Sequence, residues 1–178
     1  RFICYAQGWA ANSGYMTFEE AKAVTSIGEA FKGTSIGTFD EFKYFTGVTN
    51  IPAHGFNNCT HLISITLPSS LTSIGELAFR YCSNLKAINF PEETVNINVQ
   101  AIQDSGIEVI TFNSNATIAT SGNIQSNAPV TTINLGDRVT DYVIYEGCVY
   151  TPDHTTLVMA PVRIASIQFH PSVTSIAK

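Results

Sequence analysis

A stretch of this chain occurs twice, 23 residues apart, and this repeat limits the fold more than any other feature. Moving residues 48–62 forward by 23 positions places Val48 on Leu71 and Phe56 on Phe79. Self-similarity with a period of 20 to 50 residues is typical of solenoids, in which each copy forms one coil. One coil buries too few apolar side chains to offset the entropy of ordering its backbone, so the copies must stack.

A short strand motif marks the successive coils. It reads apolar-x-x-Ile-x-apolar and begins at Leu62, Leu85, Ile107, Val130 and Ile164. Apolar and polar residues alternate within it, as is typical of a strand with one buried face. The other half of each coil is predicted to run through a short extended piece and one helical turn. We therefore predict a β-rich repeat solenoid with short helical turns over residues 47–178.

The widest spacing between strand motifs, from Val130 to Ile164, contains an insertion at about residues 143–161. Two β-prone runs, GCVYT and TLVMAP, flank Pro152 and Asp153, which are common turn residues. This pattern predicts a β-hairpin, after which the stack resumes at Ile164. The last coil would leave an unpaired strand edge, and we expect self-association there if any occurs.

Residues 1–46 differ from the coils and are predicted to form a small helical cap. Thr17 and Glu20 have the spacing of a capping box, which opens a helix with Phe18, Ala21 and Val24 on its buried face. Residues 24–31 also resemble residues 71–79. Part of the cap is therefore open to a second interpretation, as a diverged repeat.

A second cap helix is predicted from the sequence TFDEFKYFTG, residues 38–47. Thr38 and Glu41 repeat the capping spacing. The helix would bury Phe39, Phe42 and Phe45, which are three residues apart, and would stop at the glycine that follows.

Composition excludes two classes of partner. Charged residues are only 13% of the chain, the net charge is −5, and there is no run of Lys or Arg. Nucleic acids and anionic membranes both require clustered positive charge, so we expect neither as a partner. No apolar run approaches the roughly 20 residues of a membrane span.

The chain has four cysteines, Cys4, Cys59, Cys82 and Cys148, and none forms a CxxC pair, so zinc is not indicated. Cys59 and Cys82 occupy equivalent repeat positions. They are interpreted as small apolar side chains in a stacked core. A disulfide between them is the alternative, although it needs a geometry that neighbouring parallel coils seldom offer.

Signatures of catalysis are weak. His54 and His61 flank a cysteine but fit no metal-binding spacing, and His154 stands beside Asp153 in the predicted turn. An Asp-His pair is catalytic only if a nucleophile converges on it, so a solvated turn is the favoured interpretation. No phosphate-binding loop and no nucleophile elbow is present. The sequence indicates no cofactor and no metal.

The outward positions of the five predicted strands form the candidate binding surface, here called the strand face. It carries small and polar side chains without acids, bases or cations. Its members are Ser64, Thr66, Ala87, Asn89, Val109, Thr111, Thr132, Asn134, Ser166 and Gln168. Interface anchors are mostly Trp, Tyr and Arg, so a merely solvated sheet face is the other interpretation. A ligand would otherwise use the edges, at Arg80 and Tyr81 or at the insertion.

The repeat pattern L-x-x-I-x-I/L-P-x-x-L/V-T-S-I-G-x-x-A-F-x-x-C-x-x-L resembles the BspA-like leucine-rich repeats of bacterial surface proteins. Residues 62–85 match it almost throughout. The copies that begin at 85, 107 and 130 keep the strand but lose the Phe-x-x-Cys half. The insertion and the N-terminal segment also resemble parts of this family. The resemblance spans the whole chain and implies a leucine-rich-repeat-like solenoid.

The resemblance also implies a secreted or surface-anchored protein that binds host matrix proteins, cell surfaces or glycans without catalysis. We accordingly expect an extracellular location, with an N-terminal targeting segment removed. A structural spacer that presents other domains is the alternative. A β-solenoid polysaccharide-active enzyme ranks third. Such enzymes place acids with Lys or Arg on one sheet face, and the strand face has none.

One departure from the resemblance concerns calcium. Related N-terminal segments carry a D-x-N-x-D-G…E loop before the first cap helix. The matching residues here, 9–14, keep Gly14, and Glu20 follows, but the other carboxylates are missing. Calcium requires several hard, usually charged oxygen ligands. We therefore expect no calcium here, and we expect Trp9 to pack on the cap.

Overall fold

The computed structural model describes residues 2–11, 14–94, 96–98, 100–115 and 127–177. Within these residues the chain forms a β-solenoid of about five turns with few helices, which confirms the predicted repeat solenoid. The helices are α1 (Phe2–Ala6), α2 (Phe18–Ala23) and a 3-10 helix (Asp40–Tyr44). No helix among the described residues is both long enough and apolar enough to cross a membrane.

The strands are short, and most pair with a neighbour one coil away. In chain order they are β1 (Thr38–Phe39), β2 (Asn50–Ile51), β3 (Ser64–Ile65), β4 (Ser73–Ile74), β5 (Ala87–Phe90), β6 (Asn96–Ile97), β7 (Val109–Phe112), β8 (Thr132–Leu135), β9 (Val143–Tyr145), β10 (Cys148–Tyr150), β11 (Thr156–Met159) and β12 (Ser175–Ile176).

Two parallel sheets run along the solenoid, one for each half of the coil. Strands β5, β7 and β8 form the first, with Ile88, Ile110 and Ile133 in register. Strands β2, β4 and β6 form the second, here called the return sheet. Parallel pairing at a spacing of one coil is what a stack of equivalent repeats requires.

The strand motifs have unequal outcomes. The motifs that begin at Leu85, Ile107 and Val130 form β5, β7 and β8 and are confirmed. The motif at Leu62 yields only the two-residue strand β3, which pairs with β1. The strand predicted at Ile164 is wrong, because residues 164–169 contain no strand.

Equivalent residues stack on one another in the core of the first coils. The rings of Phe31 and Phe56 are 5.3 Å apart at an interplanar angle of 15°, and those of Phe56 and Phe79 are 5.4 Å apart at 3°. Cys59 Sγ donates a hydrogen bond to the Phe31 carbonyl oxygen (2.9 Å), and Cys82 Sγ donates to that of Phe56 (3.2 Å). The structure thus supports the interpretation of both cysteines as stacked core residues, and all four cysteines are buried free thiols.

The first predicted cap helix is confirmed in its start but not in its buried face. Thr17 Oγ1 accepts a hydrogen bond from the Glu20 N–H, and Glu20 Oε2 accepts one from the Thr17 N–H. Ala21 and Val24 are buried, as predicted. Phe18 is 67% exposed, so its predicted burial is wrong. The helix has only six residues, and among them only Ala21 is buried.

The second cap helix was predicted in the wrong form. Thr38 does not cap a helix but lies in β1, and the 3-10 helix that follows has no side-chain cap. Its predicted apolar face is confirmed, because Phe39, Phe42 and Phe45 are all buried. Contacts of the solenoid type therefore reach residues 24–46, through Phe31 and β1. The division of the chain at residue 46 stays a prediction.

The insertion is a three-stranded meander, which is more than the single hairpin that was predicted. The turn at Pro152 and Asp153 joins β10 and β11 in antiparallel pairing, as expected. A second antiparallel pair joins β9 and β10 through Glu146 and Gly147, which have φ of 46° and 76°. Positive φ at both central residues is typical of a tight hairpin turn. Strand β12 then pairs in parallel with β11.

Candidate functional site

Six of the ten predicted strand-face residues come together on one sheet. The β5–β7–β8 register places Ala87, Val109 and Thr132 in one row across the sheet. The second row consists of Asn89, Thr111 and Asn134. All six are exposed or partly exposed, while the alternating residues face the core. The period-2 alternation therefore correctly predicted the outward orientation of these six side chains, and ligand binding at them stays a prediction.

The strand face is interrupted between its first coil and the rest. Ser64 lies in β3, and Thr66 follows that strand, but β3 pairs only with β1 and not with β5. A cleft of about 540 Å³ lies between these two parts of the face. Ile65, Thr66 and Leu67 line it from one side, and Asn89 and Pro91 line it from the other. This opening is a concave part of the described strand face.

An acid that the sequence analysis missed stands at the first coil. Asp40 follows β1, and its carboxylate accepts hydrogen bonds from Ser64 Oγ (2.9 Å) and Thr66 Oγ1 (3.2 Å). The strand face was predicted to carry no carboxylate, and Asp40 corrects that expectation at its margin. The resemblance of residues 24–31 to a repeat could have revealed it, because a repeat there implies a strand near Thr38.

Asn113 is a second residue of the site that sequence reasoning missed. Its side-chain amide donates to Asn89 Oδ1 (2.5 Å) and to the carbonyl oxygen of Phe90 (2.8 Å). It also lines the cleft. Because the amide of Asn113 holds Asn89 from the next coil, the polar edge of the cleft is oriented before any ligand arrives. Asn113 follows β7 directly, so a search for polar residues at strand ends would have found it.

Charged side chains at the borders of the sheet occur in exposed pairs. Lys86 Nζ lies 2.9 Å from Glu108 Oε1, and Arg138 Nη1 lies 2.9 Å from Glu92 Oε2. Exposed ion pairs contribute little to stability. The six sheet residues of the strand face carry no charge, but Glu92 and Glu93 line the cleft, so a polar ligand without anionic groups suits it.

Ser166 and Gln168 are not on this sheet. Both are exposed, but they lie in a segment without a strand, since the predicted strand at Ile164 is absent. Ile164 and Ile167 pack instead against the cluster of Cys148, Tyr150 and Leu157 in the insertion. The structure therefore does not bring these two site residues to the other eight.

Asp153, the acid of the Asp-His pair in the insertion, stabilises the turn between β10 and β11. Asp153 Oδ1 accepts hydrogen bonds from Thr151 Oγ1 (2.7 Å), Thr155 Oγ1 (2.9 Å) and the Thr155 N–H (3.0 Å). These bonds, led by that of the Thr151 side chain, lower the pKa of Asp153 to about 2. The ring of His154 stacks on that of His170, with 4.2 Å between centroids. No group of three or more His, Cys, Asp or Glu among the described residues is placed to hold a metal.

The calcium-like segment of the cap lies partly outside the described residues, at Asn12 and Ser13. Glu20, the acid that remains, accepts hydrogen bonds from the N–H groups of Thr17 (2.7 Å) and Ala11 (2.8 Å). These bonds, first that of Thr17, hold the pKa of its carboxyl below the usual range. Trp9 packs on Phe31 with 6.0 Å between ring centroids, as expected.

The edge alternative, Arg80 with Tyr81, is a pre-arranged pair. The guanidinium lies 4.3 Å from the centroid of the Tyr81 ring, and Arg80 Nε donates to Asp104 Oδ2 (3.2 Å). Asp104 also accepts from Asn127 Nδ2 (3.1 Å). Because Arg80 pairs with Asp104 of the next coil, its guanidinium connects two coils, which supports a structural role for it.

The fold is shared with a solved structure of a leucine-rich repeat protein. A leucine-rich repeat protein from Eubacterium ventriosum is similar over 91% of this chain and 47% of its own, with 18% identity and a TM-score of 0.54. The pneumococcal vaccine antigen PcpA is similar over 74% of this chain and 40% of its own, with 15% identity and a TM-score of 0.47. The chain therefore spans less than half the length of these proteins.

The family assignment comes from the repeat itself. No curated protein matches the chain. The family model described as the BspA type leucine-rich repeat region matches residues 11–148 in six copies. That match includes the coils described above and covers most of the sequence. The chain belongs to the BspA-type leucine-rich repeat family.

Proposed function

We propose that this chain is a non-catalytic recognition module of a secreted or cell-surface protein, and that it binds a protein or glycan ligand at the strand face. The observation that carries the proposal is the cleft beside Asn89. Its lining combines apolar Ile65 and Leu67 with polar Asn89 and the carboxylates of Glu92 and Glu93. It opens on an exposed parallel sheet, and the amide of Asn113 holds Asn89 in one of its walls. The extracellular location follows from what the family resemblance implies.

The chemistry of the strand face favours a polar ligand. Asn89, Thr111 and Asn134 offer amide and hydroxyl groups that both donate and accept hydrogen bonds. In parallel strands these groups repeat about every 4.8 Å, so an extended ligand with regularly spaced polar groups would meet several of them at once. Nucleic acid does not fit, because the six sheet residues of the face include no Lys or Arg.

The spacer is the second candidate, and a specific observation favours it. The six sheet residues of the strand face include no Trp, Tyr or Arg, which are the usual anchors of protein interfaces. A spacer would bind nothing saturably, and substitutions on its faces would have no effect on binding.

The test is binding of the purified chain to a panel of matrix proteins, mucins and glycans. Asn89→Arg with Thr111→Arg places two bulky cations on the strand face. The matched control, Thr49→Arg with Asn96→Arg, changes the same residue types at exposed positions at or beside the return sheet. Circular dichroism should show that both variants keep the wild-type fold.

Saturable binding that is lost in the strand-face variant and kept in the return-sheet variant is the expected result. Binding that survives in both variants would move recognition away from the strand face. If the wild-type chain binds nothing in the panel, the spacer becomes the better proposal.

A further inference from the structure

The N-terminal cap and the first coil form a second cleft, larger than the one on the strand face. Its volume is about 750 Å³, and it lies among α1, α2, β1 and the 3-10 helix. Clefts of about 300 to 1,000 Å³ with mainly apolar walls and a few polar groups are typical ligand sites. Neither the family resemblance nor the strand-face proposal assigns anything to it.

The walls of the cap cleft are apolar and rigid. Phe31, Phe39 and Phe45 line it, and all three are buried. Phe31 packs against Phe39 with 4.8 Å between ring centroids, and Phe45 lies 5.6 Å from Phe39. Because the same rings continue into the stacked core of the solenoid, the cleft has a preformed wall that a ligand need not organise.

The rim of the cap cleft exposes aromatic rings to solvent. Phe18 is 67% exposed, Tyr15 60% and Tyr44 39%. Phe18 and Tyr44 pack on each other with 4.6 Å between centroids. A cluster of exposed aromatic rings beside an apolar cleft is the usual sign of an interaction site. The helical pattern assigned Phe18 to the core, but Phe18 packs on Tyr44 at this rim and stays exposed.

The charge of the lining selects between ligand classes. Glu41 is the one ionised side chain among the described residues that line the cleft, and the others are apolar or carry a hydroxyl or thiol. The Lys43 ammonium lies 5.1 Å from the centroid of the Tyr44 ring at the rim but does not line the cleft. The carboxylate of Glu41 is therefore the charge that a ligand inside the cleft meets, which disfavours anionic ligands and favours one cationic group next to an apolar body. The neighbouring carboxylate, that of Asp40, accepts hydrogen bonds from the hydroxyl groups of Ser64 and Thr66 and does not line the cleft.

We propose that the cap cleft binds a short peptide segment that presents an aromatic or branched apolar side chain next to Lys or Arg. The apolar side chain packs between the Phe31–Phe39 wall and the Phe18–Tyr44 rim, and the cation pairs with Glu41. The rim residues Tyr15 and Phe18 are exposed to solvent, so the peptide can be part of a longer chain that enters and leaves the cleft. This site is separate from the strand face, and its test does not depend on the outcome there.

The experiment is an NMR titration of the isotope-labelled chain with acetyl-Trp-Lys-amide. Two matched probes, acetyl-Ala-Lys-amide and acetyl-Trp-Glu-amide, remove the apolar group or reverse the charge. We expect saturable shifts at residues around Phe18 and Glu41 with the first probe, and weaker binding of both others. Shifts that are absent, or that fall outside the cap, would overturn the proposal. So would equal binding of acetyl-Trp-Glu-amide, which would indicate an apolar site without charge selection.

Two variants test the residues, each with a matched control. Phe18→Ala should raise the Kd about tenfold, as for a typical aromatic anchor, while Tyr81→Ala, another exposed aromatic position, should leave it unchanged. Glu41→Gln should raise the Kd about two- to fivefold, the range of a solvent-exposed ion pair, and should remove its salt dependence. Glu92→Gln is the control for that change. An unchanged Kd in Phe18→Ala would contradict the proposed site.

Discussion

At the residue scale, the stack is so close that certain positions admit only glycine. A Cβ added to Gly106 would overlap the carbonyl oxygen of Ser83 in the preceding coil, and one added to Gly75 would overlap the backbone N of Ala53. Gly106 also donates its N–H to the Cys82 carbonyl oxygen (3.0 Å). The backbones of neighbouring coils therefore touch at these points, and no side chain can move aside to make room.

We expect Gly106→Ala to destabilise the fold by about 1–3 kcal/mol, because the new methyl group must push two coils apart. Chemical denaturation followed by circular dichroism measures the change. Gly37→Ala is the matched control, since nothing lies within 4 Å of its Cβ position and its φ is not positive. Equal stability of the two variants would show that the coils do not approach as closely as the structure indicates.

Single residues also show what the sequence could predict. Asn58, Tyr81, Asp104 and Asn127 are 23 residues apart and all have φ between 52° and 61°. Asn and Asp tolerate this left-handed conformation better than other side chains, so their recurrence was a usable signal for a turn. Tyr81 breaks the pattern, and its conformation could be found only in the structure.

At the element scale, the strands that were correctly predicted are those whose apolar residues have no other place to pack. Strand β7 pairs with a strand on each side, and β5 and β8 each pair with β7. The alternation of apolar and polar residues in all three strands matches the observed burial. The motif at Ile164 has the same alternation, but Ile164 and Ile167 pack against the cluster around Tyr150 in the insertion instead of forming a strand. A sequence pattern shows which side chains can share an apolar face, although Phe18 and Phe169 are exposed despite such a pattern. It does not show against which element they pack.

The turn between β10 and β11 should depend on pH through Asp153. Its pKa is about 2 in the folded chain, below its ordinary value of 3.8, because the Thr151 and Thr155 donors stabilise the carboxylate. The unfolded turn therefore binds a proton first as the pH falls. The stabilisation is complete above about pH 4 and is lost as the pH falls through 2.

Carbon-detected NMR of the Asp153 carboxyl should give a titration midpoint near 2. The protection of the Thr155 N–H against hydrogen exchange, relative to the intrinsic rate at each pH, should fall as the pH approaches that midpoint. Asp153→Asn should remove this dependence, whereas Asp137→Asn, at an exposed acid outside the insertion, should leave it intact. A midpoint near 4 would mean that the threonines do not hold the carboxylate in solution.

At the scale of the whole molecule, the N-terminal and C-terminal parts of the described chain differ. The first coil is covered by the cap, where Trp9, Phe31 and Phe45 pack together. At the other end, β12 is the edge strand of its sheet, and Ile176 is 63% exposed. An exposed strand edge with an apolar side chain is a template for pairing with another chain. Within this sequence of 178 residues the predicted open edge corresponds to β12, and association through it stays a prediction.

We expect the 178-residue chain to self-associate weakly through the β12 edge, with an apparent mass in sedimentation equilibrium that rises with concentration. Ile176→Lys should reduce this association, because a charged side chain on an edge strand opposes pairing. Ile63→Lys is the matched control, since Ile63 is 61% exposed and lies away from that edge. A constant monomer mass at all concentrations, or an equal effect of both variants, would contradict the expectation. In that case water, and not a second chain, would satisfy the polar groups of the β12 backbone.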